Sequence, residues 1–195
     1  MTTVAVIHHS GTGKTKSLAV AVANGARSVA GTTVMELAIT GAQIHEGRFK
    51  DDALLAQLDA ADAIIFGAPT YMGMVSGQFK TFADATGGRW YQRTWAGKIA
   101  GGFTTSGSFS GDKQGSLLYL ATLAAQLGMV WVGQNELNGL MAGQSMDVAI
   151  NRLGSHLGPM GQAAPVPEAA LTAGDLKTGE IYGARVATFA GKVRG

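Results

Sequence analysis

The run Val4-Ala5-Val6-Ile7-His8-His9-Ser10-Gly11-Thr12-Gly13-Lys14-Thr15 decides the fold. Val4–His8 is a short apolar stretch of strand length, too short for a helix. From Thr15 onward, Leu18, Ala21, Val22, Gly25 and Val29 follow the 3.6-residue period of one helix face. Between strand and helix lie small and hydroxyl-bearing residues. The same alternation continues outward. Gly31 ends the first helix and Thr32–Ile39 resumes as a strand. Asp52–Leu58 predicts a short helix, and Ala63–Phe66 a buried strand stopped by Gly67 and Pro69. Phe79, Phe82, Ala83 and Thr86 recur at helical spacing after Ser76. Lys98–Thr105 is a fourth, glycine-rich strand, Leu117, Leu120, Ala121 and Ala124 mark a fourth helix, and Met129–Val132 is a fifth strand. Thr172 and Asp175 are spaced as a capping box for a last helix with Ile181, Val186 and Phe189 inward.

Five short strands alternating with helices imply right-handed crossovers and a parallel sheet covered on both faces. The expectation is an α/β fold of the open, doubly wound kind, in which ligands sit at the carboxyl ends of the strands. That directs attention to the loops at 9–15, 67–75 and 104–113. The segment 134–174 carries three of the four prolines and is longer than an ordinary connection. It is expected to be functional, mobile or part of a contact.

Composition narrows the classes. At 195 residues a single domain spanning 1–195 is expected, and 46% apolar against 14% charged residues gives a sizeable core rather than a disordered chain. The 29 glycines are about twice the usual ~7% share but follow no fixed period, which excludes collagen and implies many turns. A formal net charge of +2 without a dense Lys/Arg block argues against a nucleic-acid binder. Without cysteine there is no disulfide framework, thiolate zinc site or cysteine nucleophile. No stretch has the length of a signal peptide or membrane span, so a soluble cytoplasmic protein is expected.

The loop Ser10-Gly11-Thr12-Gly13-Lys14-Thr15 has the makings of a phosphate cradle: a tight turn, hydroxyl donors and a helix N-terminus. Three ligands compete for it. A nucleotide-hydrolase loop would need glycine where His8 stands, and an acidic residue at the end of a nearby strand, where Gly67 stands. The dinucleotide fingerprint starts at Gly11 but meets Lys16 at its third glycine, although Glu36 lies near the ribose-binding position. The third is a mononucleotide phosphate held by backbone and hydroxyls. Against all three stands a capped helix with no ligand.

The stretch Gly67-Ala68-Pro69-Thr70-Tyr71-Met72-Gly73-Met74-Val75-Ser76-Gly77-Gln78-Phe79-Lys80-Thr81-Phe82-Ala83-Asp84 resembles the flavin-ring loop and following helix of the flavodoxin-like NAD(P)H:quinone oxidoreductases of the WrbA type, a group allied to the FMN reductases. The resemblance continues through Thr86-Gly87-Gly88-Arg89-Trp90, Phe103-Thr104-Thr105-Ser106-Gly107-Ser108 and Gly128-Met129-Val130, so it covers residues 4 to about 133. It implies a flavodoxin-like sandwich with strand order 2-1-3-4-5. It also implies FMN as cofactor, NADH or NADPH as co-substrate, and a quinone or similar small-molecule acceptor. Ser10, Gly11, Thr12, Gly13, Lys14 and Thr15 would hold the FMN phosphate. Pro69, Thr70, Tyr71, Met72 and Gly73 would line the isoalloxazine, largely through backbone N–H groups. Thr105, Ser106, Gly107, Ser108, Phe109 and Ser110 would wrap its pyrimidine and ribityl side. Trp90 would wall the flavin where nicotinamide or quinone stacks in turn, and a homo-oligomer, tetramer or dimer, is expected. No side chain is assigned as a catalytic acid or base, and no metal ligand is assigned.

The chain departs from that family in two places. Tyr71-Met72-Gly73-Met74 replaces an Arg-Phe-Gly-Asn type of loop, and Leu127 stands where a flavin-contacting histidine is common. Several residues also have plainer readings. Lys14 could be a solvated charge beside the loop, His8 and His9 hydrogen-bonded strand ends, His156 polar surface, Phe79 and Phe82 core, Trp90 ordinary packing, and Tyr119 and Tyr182 core or interface. Two other functions stay open: an electron-carrying flavodoxin serving a protein partner, and a non-catalytic nucleotide-binding module.

Overall fold

The computed structural model describes residues 1–166 and 168–194; Pro167, one of the prolines counted in the long segment, and Gly195 lie outside them. The chain opens with β1 (Thr2–His9), α1 (Lys14–Arg27) and β2 (Thr32–Ile39), followed by a small hairpin of β3 (Ile44–His45) and β4 (Arg48–Phe49). Then come α2 (Asp52–Ala60), β5 (Ala63–Tyr71), β6 (Met74–Val75), α3 (Gly77–Ala85), α4 (Gly87–Gln92), β7 (Ile99–Ser106) and α5 (Lys113–Gln126). The chain closes with β8 (Val130–Trp131), β9 (Met160–Gln162) and α6 (Ala173–Arg194). The main sheet runs β2-β1-β5-β7-β8 with every one of these neighbours parallel. Numbered by its five main strands this is 2-1-3-4-5, the flavodoxin-like order.

The pleat explains why both faces are apolar. Ala5 and Ile7 of β1 join a core with Ile64, Phe66, Phe79, Phe82, Leu117 and Leu120. Val4 and Val6 point the other way, to Leu18, Val22, Ile65, Phe103, Tyr182 and Val186. Alternate side chains of one strand thus meet α2, α3 and α5 on one side and α1 and α6 on the other. The α1–α6 crossing is unusually close. A Cβ on Gly25 would lie 1.8 Å from the Glu180 carbonyl oxygen, and one on Gly183 1.9 Å from that of Val22.

Several sequence expectations are corrected. The third main strand does not stop at Gly67 and Pro69 but runs to Tyr71. A Cβ on Gly67 would lie 2.2 Å from the Phe103 ring, so this glycine makes room for its neighbour. Pairing with β1 ends at Gly67, and beyond it the Pro69 carbonyl accepts the Ser76 N–H at 3.2 Å, so the missing proline donor interrupts no ladder bond to β1. The expected fifth strand, Met129–Val132, shrinks to two residues opposite Ile99 and Ala100. Its continuation, β9, arrives nearly thirty residues later and pairs Met160–Gln162 with Thr104–Ser106 on the same edge of β7. The edge strand is therefore interrupted by a long excursion.

In the last helix Val186 and Tyr182 are buried, whereas Ile181 is only partly so and Phe189 is 36% exposed between Arg185 and Lys192. Thr172 Oγ1 does accept the Asp175 N–H at 3.2 Å, but the Asp175 carboxylate turns to Arg152 instead of completing a box. Tyr182 is a core residue. Its hydroxyl donates to the Val132 carbonyl at 2.7 Å and accepts the Gly102 N–H at 3.0 Å.

Candidate functional site

Three loops meet where β1, β5 and β7 end. Each is anchored from beneath by buried hydroxyls. Thr15 Oγ1, in the first turn of α1, lies 2.7 Å from Thr105 Oγ1 at the end of β7, tying the first loop to the third. The second loop hangs on a chain of three hydroxyls: Ser116 Oγ is 2.8 Å from Thr70 Oγ1, which is 2.8 Å from Thr104 Oγ1, which donates to the Ala68 carbonyl at 2.7 Å. One consistent direction satisfies every buried oxygen in that chain, with Ser116 donating to Thr70 and Thr70 to Thr104.

The first loop enters α1 through Gly13 at φ +83°. Ser10 Oγ accepts the Lys16 N–H at 3.1 Å, closing the turn around the remaining first-turn amides. Lys14 Nζ donates to the Ala169 carbonyl, so its side chain is engaged with the long segment. The second loop is a tight hairpin in which Thr70 pairs with Val75 and Tyr71 with Met74. Its two central residues, Met72 at φ +48° and Gly73 at φ +84°, give the turn that matches strand twist and leave the Met72 side chain wholly exposed. Tyr71 folds back toward the first loop: a Cβ on Gly11 would lie 2.3 Å from its hydroxyl oxygen.

Thr12, Lys14, Pro69, Thr70, Tyr71, Thr105, Ser106 and Gly107 line one cavity of about 240 Å³, closed by Ala163 and Pro165 beyond β9. A second, wider hollow of about 690 Å³ is lined by Gly73, Phe109 and Ser110 together with Arg152 and Met160. The structure thus brings residues of all three expected loops together. It does not bring Trp90 to them. That side chain, on α4, lines a separate groove of about 460 Å³ with Lys80, Asp84, Tyr119 and Leu123. Leu127, where a histidine was the family's habit, is buried.

The two histidines at the end of β1 differ: His9 is hydrogen-bonded as expected, whereas His8 Nδ1 is buried without a hydrogen-bond partner among the described residues. His9 Nδ1 lies 2.8 Å from Ser76 Oγ, which caps α3 by accepting the Phe79 N–H. Burial pushes both His8 and His9 below the ordinary histidine range, so each is neutral at pH 7. Lys113, Arg152 and Asp175 were missed as site residues. Arg152 and Asp175 form a buried bidentate pair, with Nε and Nη2 each 2.8 Å from a carboxylate oxygen. The Arg152 guanidinium also sits 5.7 Å from the centre of the Phe109 ring. No local signal marks them, because the partners lie 23 positions apart.

A parallel sheet in this order, with a small-residue loop, a tight hairpin and a hydroxyl-rich third loop at its carboxyl edge, defines a flavodoxin-like nucleotide-binding protein. The donors suit a mononucleotide: helix-terminal amides and hydroxyls for one phosphate, and loop backbone for a planar ring. Comparison with known proteins agrees. Residues 2–143 match the model of the NADPH-dependent FMN reductase family. The chain is 42% identical over 188 residues to flavodoxin FldP of Pseudomonas aeruginosa, covering 96% of each. It is 34% identical over 208 residues to an NAD(P)H dehydrogenase (quinone) of Archaeoglobus fulgidus, covering 99% of this chain and 100% of the other. The crystal structure of a flavodoxin, WrbA-like protein from Agrobacterium tumefaciens superposes with a TM-score of 0.75 at 40% identity, over 98% of this chain and 99% of that one. The chain belongs to the NADPH-dependent FMN reductase family, as an NAD(P)H dehydrogenase (quinone)-like flavoprotein of the WrbA type.

Proposed function

We propose that this protein, working in the cytoplasm, oxidises NADH or NADPH and reduces quinones or similar small acceptors by way of bound FMN, two electrons at a time. The observation that carries this reading is the convergence of Thr12, Thr70 and Thr105 on one cavity at the carboxyl edge of the sheet, in a chain of the FMN reductase family. FMN, when bound, supplies the redox chemistry; the protein binds, orients and tunes. Ser10 to Thr15 hold the phosphate through amides and hydroxyls. Pro69 to Gly73 line the ring through the hairpin backbone, and Thr105 to Ser110 hold the pyrimidine and ribityl side. No side chain is required as acid or base.

Charge supports two-electron transfer over one-electron carriage. The three loops contain one acid, Asp112, against Lys14 and Lys113. Unit charges about 5–8 Å apart at an effective dielectric near 20 interact by roughly 2–3 kcal/mol. A ring of carboxylates would strongly disfavour placing two electrons on the flavin, whereas one acid offset by two lysines does not. Anaerobic titration of the FMN-loaded protein with NADH and with NADPH is expected to bleach the flavin in one two-electron phase. A persistent one-electron species, with neither nucleotide bleaching the flavin, would favour an electron carrier. That second reading has a specific support, since the 42% identical relative is named a flavodoxin. Recovery of bound ATP, or no affinity for FMN, would sink both.

The reading extends to assembly. Trp90 is 52% exposed on a groove away from its own chain's loops, so if Trp90 walls the flavin it does so from another copy. Light scattering is expected to give a multiple of the 20.0 kDa chain; a monomer at micromolar concentration would remove Trp90 from the site.

A further inference from the structure

A buried ammonium group sits behind the third loop. Lys113 opens α5 and is 0% exposed, although lysine is among the residues least often buried. Its Nζ donates to Ser106 Oγ at 2.8 Å, to the Ser108 carbonyl at 2.7 Å and to the Phe109 carbonyl at 2.9 Å. Three N–H donors therefore meet three acceptors, one on the last residue of β7 and two in the loop between β7 and α5. Ser106 Oγ in turn donates to the Ser108 carbonyl at 3.1 Å. The backbone leading to the lysine is tightly wound, with Gly111 at φ +51° and Asp112 at φ +52°. A Cβ on Gly111 would lie 2.1 Å from Ser106 Oγ, so the loop closes onto the group that Lys113 holds. Carbonyls turned inward leave amides facing outward. Among the described residues, none of the backbone N–H groups from 107 to 112 donates to a backbone acceptor.

Resting on the FMN reading above, we propose that Lys113 is the positioning residue of the third flavin loop: by holding the carbonyls of Ser108 and Phe109 inward, it presents the loop's amides and one positive charge to the flavin, so that FMN affinity and the potential of bound FMN both depend on that charge. The charged groups facing Lys113 are few. Arg152 from the long segment and Asp175 from α6 are paired with each other and largely cancel. Asp112, next in the loop, is exposed. Lys113 is thus the buried charge left unbalanced behind the loop.

The sign of the pH dependence follows. Burial pushes the Lys113 ammonium down to about 8, with Asp175 opposing the shift and Arg152 adding to it. The cation is present at pH 7 and is lost as pH rises through about 8. An anionic ligand in front of the loop is therefore held more tightly below that pH than above it. The second ionisation of a phosphate lies near 6, so a profile beginning at pH 7 is free of it.

The test is fluorescence titration of the FMN-stripped protein with FMN from pH 7 to 9.5, for wild type and for Lys113→Met, with the midpoint potential of each FMN-loaded form at pH 7. The wild-type Kd is expected to rise about tenfold across that range, by Coulomb's law over the thickness of one loop at intermediate dielectric. The variant is expected to bind about tenfold more weakly at pH 7 and to have a flat profile. Its preference for reduced over oxidised FMN is expected to fall about tenfold, which for two electrons lowers the potential by about 30 mV. A purely structural lysine would weaken binding but leave the pH slope and the potential unchanged, which overturns the proposal. So does a flat wild-type profile, which needs no folded variant. A wild-type protein that binds FMN without pH dependence removes only this inference; one that binds no FMN at any pH removes the FMN reading and this inference with it.

Discussion

Asp175→Asn is expected to destabilise the protein by about 3–5 kcal/mol, the cost of leaving a buried charge without its partner. Arg152 and Asp175 are 1% and 2% exposed and share two 2.8 Å hydrogen bonds. The carboxylate also accepts the Gln162 N–H at 3.0 Å, and the guanidinium reaches the Gln162 carbonyl at 3.3 Å. The pair therefore fastens three pieces that share no continuous strand or helix: the stretch around Arg152, β9 and the start of α6. Asparagine keeps the size but leaves a buried guanidinium without its countercharge. The double variant Arg152→Met with Asp175→Leu removes both charges and is expected to regain most of the loss, since buried pairs often break even against apolar side chains of similar volume. Urea denaturation followed by tryptophan fluorescence measures both. A loss below about 1 kcal/mol in the single variant would mean that solvent reaches Arg152 after all.

The second large effect lies far from the site. Gly25→Val is expected to cost at least about 3 kcal/mol, a large share of the 5–15 kcal/mol that holds an ordinary domain together. The atom that a new Cβ would meet is the Glu180 backbone oxygen at 1.8 Å, and no rotamer change moves a backbone. The two helices would have to separate, losing burial at Leu18, Val22 and Val186 together. Gly191→Ala on α6 supplies a contrast. There the nearest atom is Thr2 Oγ1 at 3.6 Å, an ordinary contact. Replacing a helical glycine by alanine should then add up to about 1 kcal/mol. Opposite signs from two glycines of the same helix pair would identify close packing as the cause. A loss below about 1 kcal/mol for Gly25→Val would mean that the crossing can open cheaply.

How much of this could be read in advance depends on the range of the interaction concerned. The five main strands were legible because each is an apolar run bounded by glycine, proline or polar residues. The three loops were legible because their hydroxyl and glycine residues are contiguous. What escaped was set by contacts between distant positions. Gly67 resembles a strand stop until Phe103 is seen lying over it. Met160-Gly161-Gln162 has neither length nor alternation to mark it as a strand, and it is one only because β7 offers a free edge there. Phe189 fits the inward period of α6, yet cations on either side let its ring face solvent, while Tyr182 goes inward because two backbone groups need its hydroxyl. Lys113 was visible as a charge, but its burial was not, since composition says nothing of which carbonyls will surround an ammonium.

The interrupted edge strand bears on how this sheet avoids sticking to others. A continuous outer strand offers a row of unpaired amides and carbonyls on which a second chain can add itself. Here the outer row consists of two residues, a long detour, and three more. Neither piece is long enough to template a partner. The detour therefore works as a guard on the molecule's flank, whatever else its residues contact. Joining Val132 to Met160 through two residues, opposite Gly102 and Phe103, would keep both registers, shorten the chain and at the same time create one uninterrupted border. The opposite border, β2, is eight residues long. It is the flank left to be protected by its polar side chains, Glu36 and the threonines at its start.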